Sequence, residues 1–304
     1  MGPYAFFRGE IVPFEQAKVS IATHALNYGT GCFEGIRANW NPRQEQLYVF
    51  RLREHYERLQ RSARILHMRL GYSVAELCEI TLELLRRNGH REDTYIRPLA
   101  YKGSEALGVR LHQLEDHFAI FTMPFGSYFE SEGGARCCVV SWRRVDDTMI
   151  PGRAKVTGIY VNSALAKTEA QLNGFDEGIL LTSAGFVSEG SGENLFLVSG
   201  GKLVTPAESE SILVGITRNT VIQLAREAFG IETVERPIAR NELYTAEELF
   251  MTGTAAHVTP IVEVDRRPVG DGEIGPITRK LMDLYFQTIR GDDDRHPEWR
   301  TPVY

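Results

Sequence analysis

Two helix-period segments in direct succession, followed by two strand-period segments, constrain residues 1–123 more than any other feature. After the strand-like Leu47-Tyr48-Val49-Phe50, the stretch from Leu52 to Leu70 places Tyr56, Leu59, Ala63, Leu66 and Leu70 on one helical face. A second helix is expected from Ser73, a good N-cap, through Val74, Leu77, Ile80, Leu84 and Leu85 to a stop at Asn88-Gly89. Thr94 to Tyr101 then alternates as a half-buried strand does, and His117 to Met123 is nearly all apolar, as a central strand would be. These elements make a compact α+β unit.

Residues 124–135, PFGSYFESEGGA, are rich in Gly and Ser without an apolar period and read as an interdomain loop. A second domain then spans 136–304. Its strands are expected at Cys137–Trp142, Gly178–Thr182, Asn194–Val198, Lys202–Val204 and Leu249–Thr252. Helices are expected at Val161–Leu172 and Thr217–Phe229, stopped by Asn173-Gly174 and Gly230, and at Pro276–Ile289. The acidic run Gly291-Asp292-Asp293-Asp294 reads as a solvated tail.

With 304 residues and 43 % hydrophobic content, the chain can bury sizeable cores. Its net charge of −6 is interspersed, so it lacks the basic stripe that nucleic-acid binding needs. It has no apolar run of about 18 residues and no charged leader, which makes a cytoplasmic protein the expectation. Cys32, Cys78, Cys137 and Cys138 lack metal-ligand spacing and read as buried free thiols of a reducing compartment.

Four short segments carry candidate chemistry. Lys155 lies in the Pro/Gly-bounded Met149-Ile150-Pro151-Gly152-Arg153-Ala154-Lys155-Val156-Thr157-Gly158. Val187-Ser188-Glu189-Gly190-Ser191-Gly192-Glu193-Asn194 sets small residues around two carboxylates, letting backbone approach a flat ligand while presenting an acid. Val214-Gly215-Ile216-Thr217-Arg218 opens a helix whose free N–H groups favour an anion. Thr252-Gly253-Thr254-Ala255-Ala256 is a small-residue turn after a strand. Each alone is commonplace: a surface lysine, a tight hairpin, an ordinary cap.

In this order they resemble the class IV aminotransferases, the pyridoxal-5′-phosphate (PLP) enzymes of fold type IV, and within them the branched-chain amino acid aminotransferases. The resemblance runs from Phe7-Arg8-Gly9-Glu10 to about Tyr285. It is most specific at His24-Ala25-Leu26-Asn27-Tyr28-Gly29-Thr30-Gly31-Cys32-Phe33-Glu34-Gly35-Ile36-Arg37, at Tyr95-Ile96-Arg97-Pro98-Leu99, at the SEGSGENLF segment and at Gly253-Thr254-Ala255-Ala256. It implies a small N-terminal α/β domain and a larger C-terminal pseudo-barrel domain, in a homodimer or higher homo-oligomer.

The resemblance also implies roles. Lys155 would hold the cofactor covalently and move the substrate proton. Glu189 would face the pyridine nitrogen, Tyr160 the ring oxygen, and Arg58, Ile216, Thr217 and Thr254 the phosphate, with Glu193 in a supporting contact. The substrate α-carboxylate would lie near Thr254, Ala255 and Tyr95. The side-chain pocket would be formed by Tyr28, Phe33, Gly35, Phe125, Tyr128 and Tyr160, with Leu107 and Val109 from a neighbouring subunit, and Arg97 would take the distal carboxylate of glutamate or 2-oxoglutarate. The expected reaction is transamination between L-branched-chain amino acids and 2-oxoglutarate. Departures stand at His257, where the family usually has glutamate, at Ile159, and at Lys102-Gly103-Ser104-Glu105. They leave the chemistry intact and bear on strict branched-chain specificity; the alternatives are another class IV enzyme, a D-amino-acid or (R)-amine aminotransferase or an aminodeoxychorismate lyase, and a non-catalytic α/β binding protein, against which Lys155, Glu189 and Arg58 together argue.

Overall fold

The computed structural model of the protein describes residues 1–126 and 133–304. The chain forms two compact units, and they do not follow a single cut. One comprises Met1–Gly126, Ala154–Gly158 and Gln287–Tyr304; the other covers, among the described residues, 133–153 and 159–286.

In the first unit, β1 (Tyr4–Phe7) and β2 (Glu10–Pro13) form a hairpin, followed by a short helix α1 (His24–Tyr28). Strands β3 (Gly31–Phe33), β4 (Ile36–Asn41) and β5 (Gln46–Phe50) precede helices α2 (Leu52–Ile65) and α3 (Val74–Asn88) and strands β6 (Thr94–Lys102) and β7 (Asp116–Pro124). Helix α2 buries Tyr56, Leu59 and Ala63 on one face, as its spacing requires. It stops at Ile65 rather than running to Leu70, because His67 takes a left-handed conformation, φ 53°; Leu66 and Leu70 still pack on the core. Helix α3 begins in a reciprocal capping box, Ser73 Oγ accepting from Glu76 N–H and Glu76 from Ser73 N–H, and ends at Gly89 with φ 65°.

Strand β6 buries Ile96 and Ala100 in the core, so the period of two turns Tyr95 and Arg97 to the opposite face. Its neighbour β7 alternates in burial as well, despite its nearly apolar sequence. The other face of the sheet carries the apolar residues that do not reach this core.

In the second unit, β8 (Ala135–Arg143), helix α4 (Tyr160–Leu172), β9 (Glu177–Leu181), β10 (Asn194–Ser199), β11 (Lys202–Thr205), helix α5 (Ile216–Phe229), β12 (Thr233–Glu235), β13 (Glu248–Gly253), β14 (His257–Val264) and β15 (Arg267–Pro268) precede helix α6 (Pro276–Arg290). The strands order as β12-β11-β10-β13-β14-β8-β9, with β15 on β14. Parallel pairs β14·β8 and β8·β9 sit beside antiparallel hairpins, the mixture of an α+β fold. Leu195, Leu197, Leu249, Met251 and Ile261 fill the core of this sheet. Buried Glu248 caps α6, accepting from Ile277 N–H at 3.0 Å and Thr278 N–H at 2.7 Å.

The acidic run near the end is not a free tail. Asp292 lies 3.1 Å from Arg43, and β16 (Arg300–Pro302) pairs antiparallel with β5, with Trp299 and Val303 buried. These two apolar residues supply the driving force that the acidic run obscured. Cys32, Cys137 and Cys138 are buried free thiols, whereas Cys78 is only half-buried. No helix of the described residues is long and apolar enough to cross a membrane.

Candidate active site

In the first unit, Lys155 is held by its backbone at both sides. Its N–H donates to Ser62 Oγ on α2 at 3.1 Å, its carbonyl accepts from Phe33 N–H at 3.0 Å, and neighbouring Val156 bridges to Cys32. Its Nζ lies 5.3 Å from the centroid of the Phe33 ring. The Arg97 guanidinium covers the same ring at 4.4 Å and donates to the Tyr95 hydroxyl at 2.8 Å. Tyr95 packs at 5.3 Å from Phe125, whose carbonyl accepts from Arg37. Gly35 makes this arrangement possible: a Cβ there would stand 2.2 Å from the Tyr95 hydroxyl oxygen. Lys155, Phe33, Gly35, Tyr95, Arg97 and Phe125 therefore form one cluster, a cationic and aromatic wall beside an amine.

Arg58 is not a solvated helix arginine. It is buried, and its Nε and Nη2 each donate to the fully buried Glu34 at 2.7 Å, a bidentate pair. His55 Nδ1 lies 2.7 Å from Glu34 Oε2. Burial by itself would raise the Glu34 carboxyl, but the Arg58 charge and the hydrogen bonds from Arg58 and His55 outweigh it and hold the group far below the usual range. Burial lowers the His55 imidazole, against the upward pull of Glu34. A depressed carboxyl adds stability that is complete above its unfolded value, about 4.3, and is lost as pH falls below it. Glu34→Gln is therefore expected to cost about 2 kcal/mol near neutral pH and to flatten the acid side of a plot of Tm against pH. An unchanged acid limb would remove Glu34 from the network.

In the second unit, Glu189 opens the small-residue segment and is buried. Arg144 Nε lies 2.8 Å from its Oε1, and its Oε2 accepts from Leu213 N–H at 3.0 Å and Asn194 Nδ2 at 3.2 Å. This is the donor set that stabilises a carboxylate. Gly215 N-caps α5, and a Cβ on it would lie 2.1 Å from Asn194 Oδ1, so the helix start is seated directly on the partner of Glu189. Ile216 and Thr217 form the first turn, whose N–H groups have no acceptor within the helix. Thr254 and Ala255 sit half-buried in the turn between β13 and β14, and Tyr160 begins α4, half-buried.

The class IV family model, amino-transferase class IV, matches residues 31–264. The probable branched-chain-amino-acid aminotransferase of Aquifex aeolicus is 56 % identical over 301 residues, covering 99 % of this chain and 97 % of its own. The chain belongs to the class IV aminotransferases. Among solved structures, the branched-chain aminotransferase of Thermoproteus uzoniensis with norvaline superposes with TM-score 0.95 at 47 % identity, over 99 % of each chain. That of Thermobaculum terrenum in its PLP form gives 0.94 at 40 % identity, over 100 % of this chain and 99 % of its own. The fold is accordingly fold type IV.

In this class IV aminotransferase, several residues singled out from the sequence lie elsewhere than the Lys155 cluster. The Tyr28 hydroxyl accepts from Gly108 N–H at 3.1 Å and its ring packs at 4.6 Å from His24. His24 in turn reaches the Gly108 carbonyl at 2.9 Å, so both residues anchor a loop whose Leu107 and Val109 are 81 % and 88 % exposed. Tyr128 falls outside the described residues. Lys102 is buried, donating to Asp116 at 2.8 Å and to the His67 carbonyl at 2.7 Å. His257 is buried against Phe286 and Tyr285, at 5.1 and 5.8 Å, which makes it a core residue. Glu34, His55 and Arg144 escaped the sequence reading. A carboxylate in the otherwise apolar Cys32-Phe33-Glu34-Gly35-Ile36 run was the available signal for the first, since a buried acid demands a cation.

Proposed function

We propose that the chain is a PLP-dependent enzyme of the cytosol that transfers the amino group of L-leucine, L-isoleucine and L-valine to 2-oxoglutarate, giving branched-chain 2-oxo acids and L-glutamate. The observation that carries this reading is the wall of Phe33, Tyr95 and Arg97 beside Lys155. Aromatic surface suits an aliphatic side chain, and a guanidinium at its edge suits a distal carboxylate, so one pocket accepts both substrates.

The residues fit the cofactor that the relatives use. Bound PLP supplies a ring that takes up the electron pair left when the substrate Cα–H bond breaks. Lys155 holds the cofactor covalently and, as a free amine, carries the proton from the substrate Cα. Its anchored backbone limits where that amine can go. Glu189, supplied with three donors, faces the ring nitrogen and keeps it protonated. Tyr160 meets the ring oxygen. Arg58, oriented by Glu34, would bind the phosphate, and the same role would fall to the Ile216–Thr217 turn and Thr254. Thr254, Ala255 and the Tyr95 hydroxyl would each offer hydrogen bonds to the substrate α-carboxylate. The enzyme works as a homodimer at least; the anchored loop with exposed Leu107 and Val109 supports their entry into the pocket of a second copy.

Arg97→Leu separates the two half-reactions. Losing a charge-assisted contact in a desolvated site costs about 2–5 kcal/mol, while an apolar substrate loses only packing. The half-reaction with L-glutamate or 2-oxoglutarate is expected to slow roughly tenfold to a thousandfold, and that with L-leucine far less. Rapid mixing followed by absorbance of the cofactor reads both. Equal losses would place Arg97 at the α-carboxylate or in the fold. Reaction with D-leucine in place of L-leucine would move the chain to another class IV activity.

A further inference from the structure

The segment 187–194 carries two buried carboxyl groups, and the fold treats them in opposite ways. Glu189 is met by Arg144 and two N–H donors. Glu193 is as deeply buried, yet among the described residues its carboxyl accepts only from Gly192 N–H, at 3.0 Å. The nearby ammonium of Lys167 is committed to Glu177, at 2.6 Å, and to the Asp176 carbonyl, at 2.8 Å. The Glu193 side chain is packed instead against two glycines. A Cβ at Gly190 would lie 2.8 Å from its Oε2, and one at Gly253 would lie 3.4 Å from its Cγ. The acid thus fills the space between the turn that follows Glu189 and the turn that precedes Thr254.

We propose that Glu193 is a positioning residue that works as a protonated acid, its neutral carboxyl seating the Gly190 and Gly253 turns on each other, and that loss of its proton loosens both. A desolvated carboxyl without a cation keeps its proton. The charged and titratable groups around it are Glu177, Lys167, Glu189 with its partner Arg144, and the Cys137 thiol. Burial, then Glu177 and Glu189, push the group up to about 8 against the Gly192 N–H and Lys167. A raised acid retains a proton that the unfolded chain releases. Its contribution to stability is therefore complete below the unfolded value, about 4.3, and is lost as pH rises to about 8.

The consequence for cofactor retention rests on the proposed function, in which these turns hold PLP; the protonation of Glu193 does not. Three measurements on the holoenzyme between about pH 6 and pH 9 test it. In wild type the infrared band of a protonated carboxylic acid should fade as pH rises, and it should be missing from Glu193→Gln throughout. The dissociation constant for PLP, read from visible absorbance, should rise about tenfold across this window in wild type, as one unit of linked titration would give, and less than about threefold in Glu193→Gln. The fall of Tm with pH should be shallower in the variant. An acid band absent from wild type near neutral pH overturns the proposal even if the variant fails to fold, as do equal pH dependences in the two proteins. If the band and the Tm slope behave as expected but wild type takes up no PLP at any pH, the reading of the function fails and the neutral acid stands.

Discussion

Lys155→Ala is expected to abolish covalent capture of PLP and all measurable transamination while the fold persists. The expectation of an intact fold follows from which atoms of Lys155 hold its loop. The backbone N–H donates to Ser62 Oγ and the carbonyl accepts from Phe33 N–H, and alanine keeps both. What it loses includes the approach of Nζ to the Phe33 ring, about 0.5–1 kcal/mol for an accessible cation–π contact. Turnover is a different matter, because in the proposed function the amine is both the covalent attachment and the carrier of the proton. Removing a group that makes the covalent bond lowers the rate by several orders of magnitude. Borohydride reduction followed by mass spectrometry checks the first part: wild type should gain a reduced cofactor adduct on Lys155, and the variant none. An adduct on the alanine variant would assign the attachment to another lysine. Hydroxylamine should likewise remove the visible absorbance of wild type.

Glu189→Gln is expected to slow the chemical step about 10²–10³-fold, the scale of one preorganised electrostatic contact, while PLP still binds. Glutamine keeps the shape and an oxygen for Arg144, Asn194 or Leu213, so the segment remains seated. In the proposed role it would not keep the ring nitrogen protonated, and the electron pair left at the substrate Cα would have a weaker sink. Some thermal destabilisation should accompany the change, because Arg144 is buried and would face a neutral partner. For that reason the decisive quantity is the single-turnover rate at saturating cofactor and a temperature well below unfolding. A nearly normal rate would take the ring-nitrogen role from Glu189 and give it to Glu193, against the neutral state proposed for that acid.

Expectations that depended on local chemistry were met by the structure at the level of single residues. The Ser73 capping box and the left-handed stops at Gly89 and Gly230 each arise within one turn of chain, where the groups that satisfy one another are sequence neighbours, and α5 starts at Ile216, one residue before the expected Thr217. Periodicity likewise placed Tyr95 and Arg97 on one face of β6. At β7 the nearly all-apolar sequence marks a central strand, and β7 does lie between β6 and β1; its burial alternates all the same, because hydrophobicity does not reveal which face of a strand meets the core. Periodicity failed beyond Ile65, where apolar spacing continues through Leu70 but the backbone turns left-handed at His67.

The motifs of the sequence were sufficient for the family, since Lys155, the two-carboxylate segment and the small-residue turns follow one another in a fixed order. Tertiary structure alone decided the state of the charged groups. Glu34 lies between β3 and β4 and Arg58 on α2, well separated in sequence, and only packing makes them a buried bidentate pair with His55 beside it. Packing also commits Lys102 to Asp116, supplies Arg144 to Glu189 and, among the described residues, gives the Glu193 carboxyl the Gly192 N–H as its donor. The physical reason is that covalent order fixes which groups are available, whereas the charge a group carries depends on the water it has lost and the partners it has met. Both are properties of the folded chain.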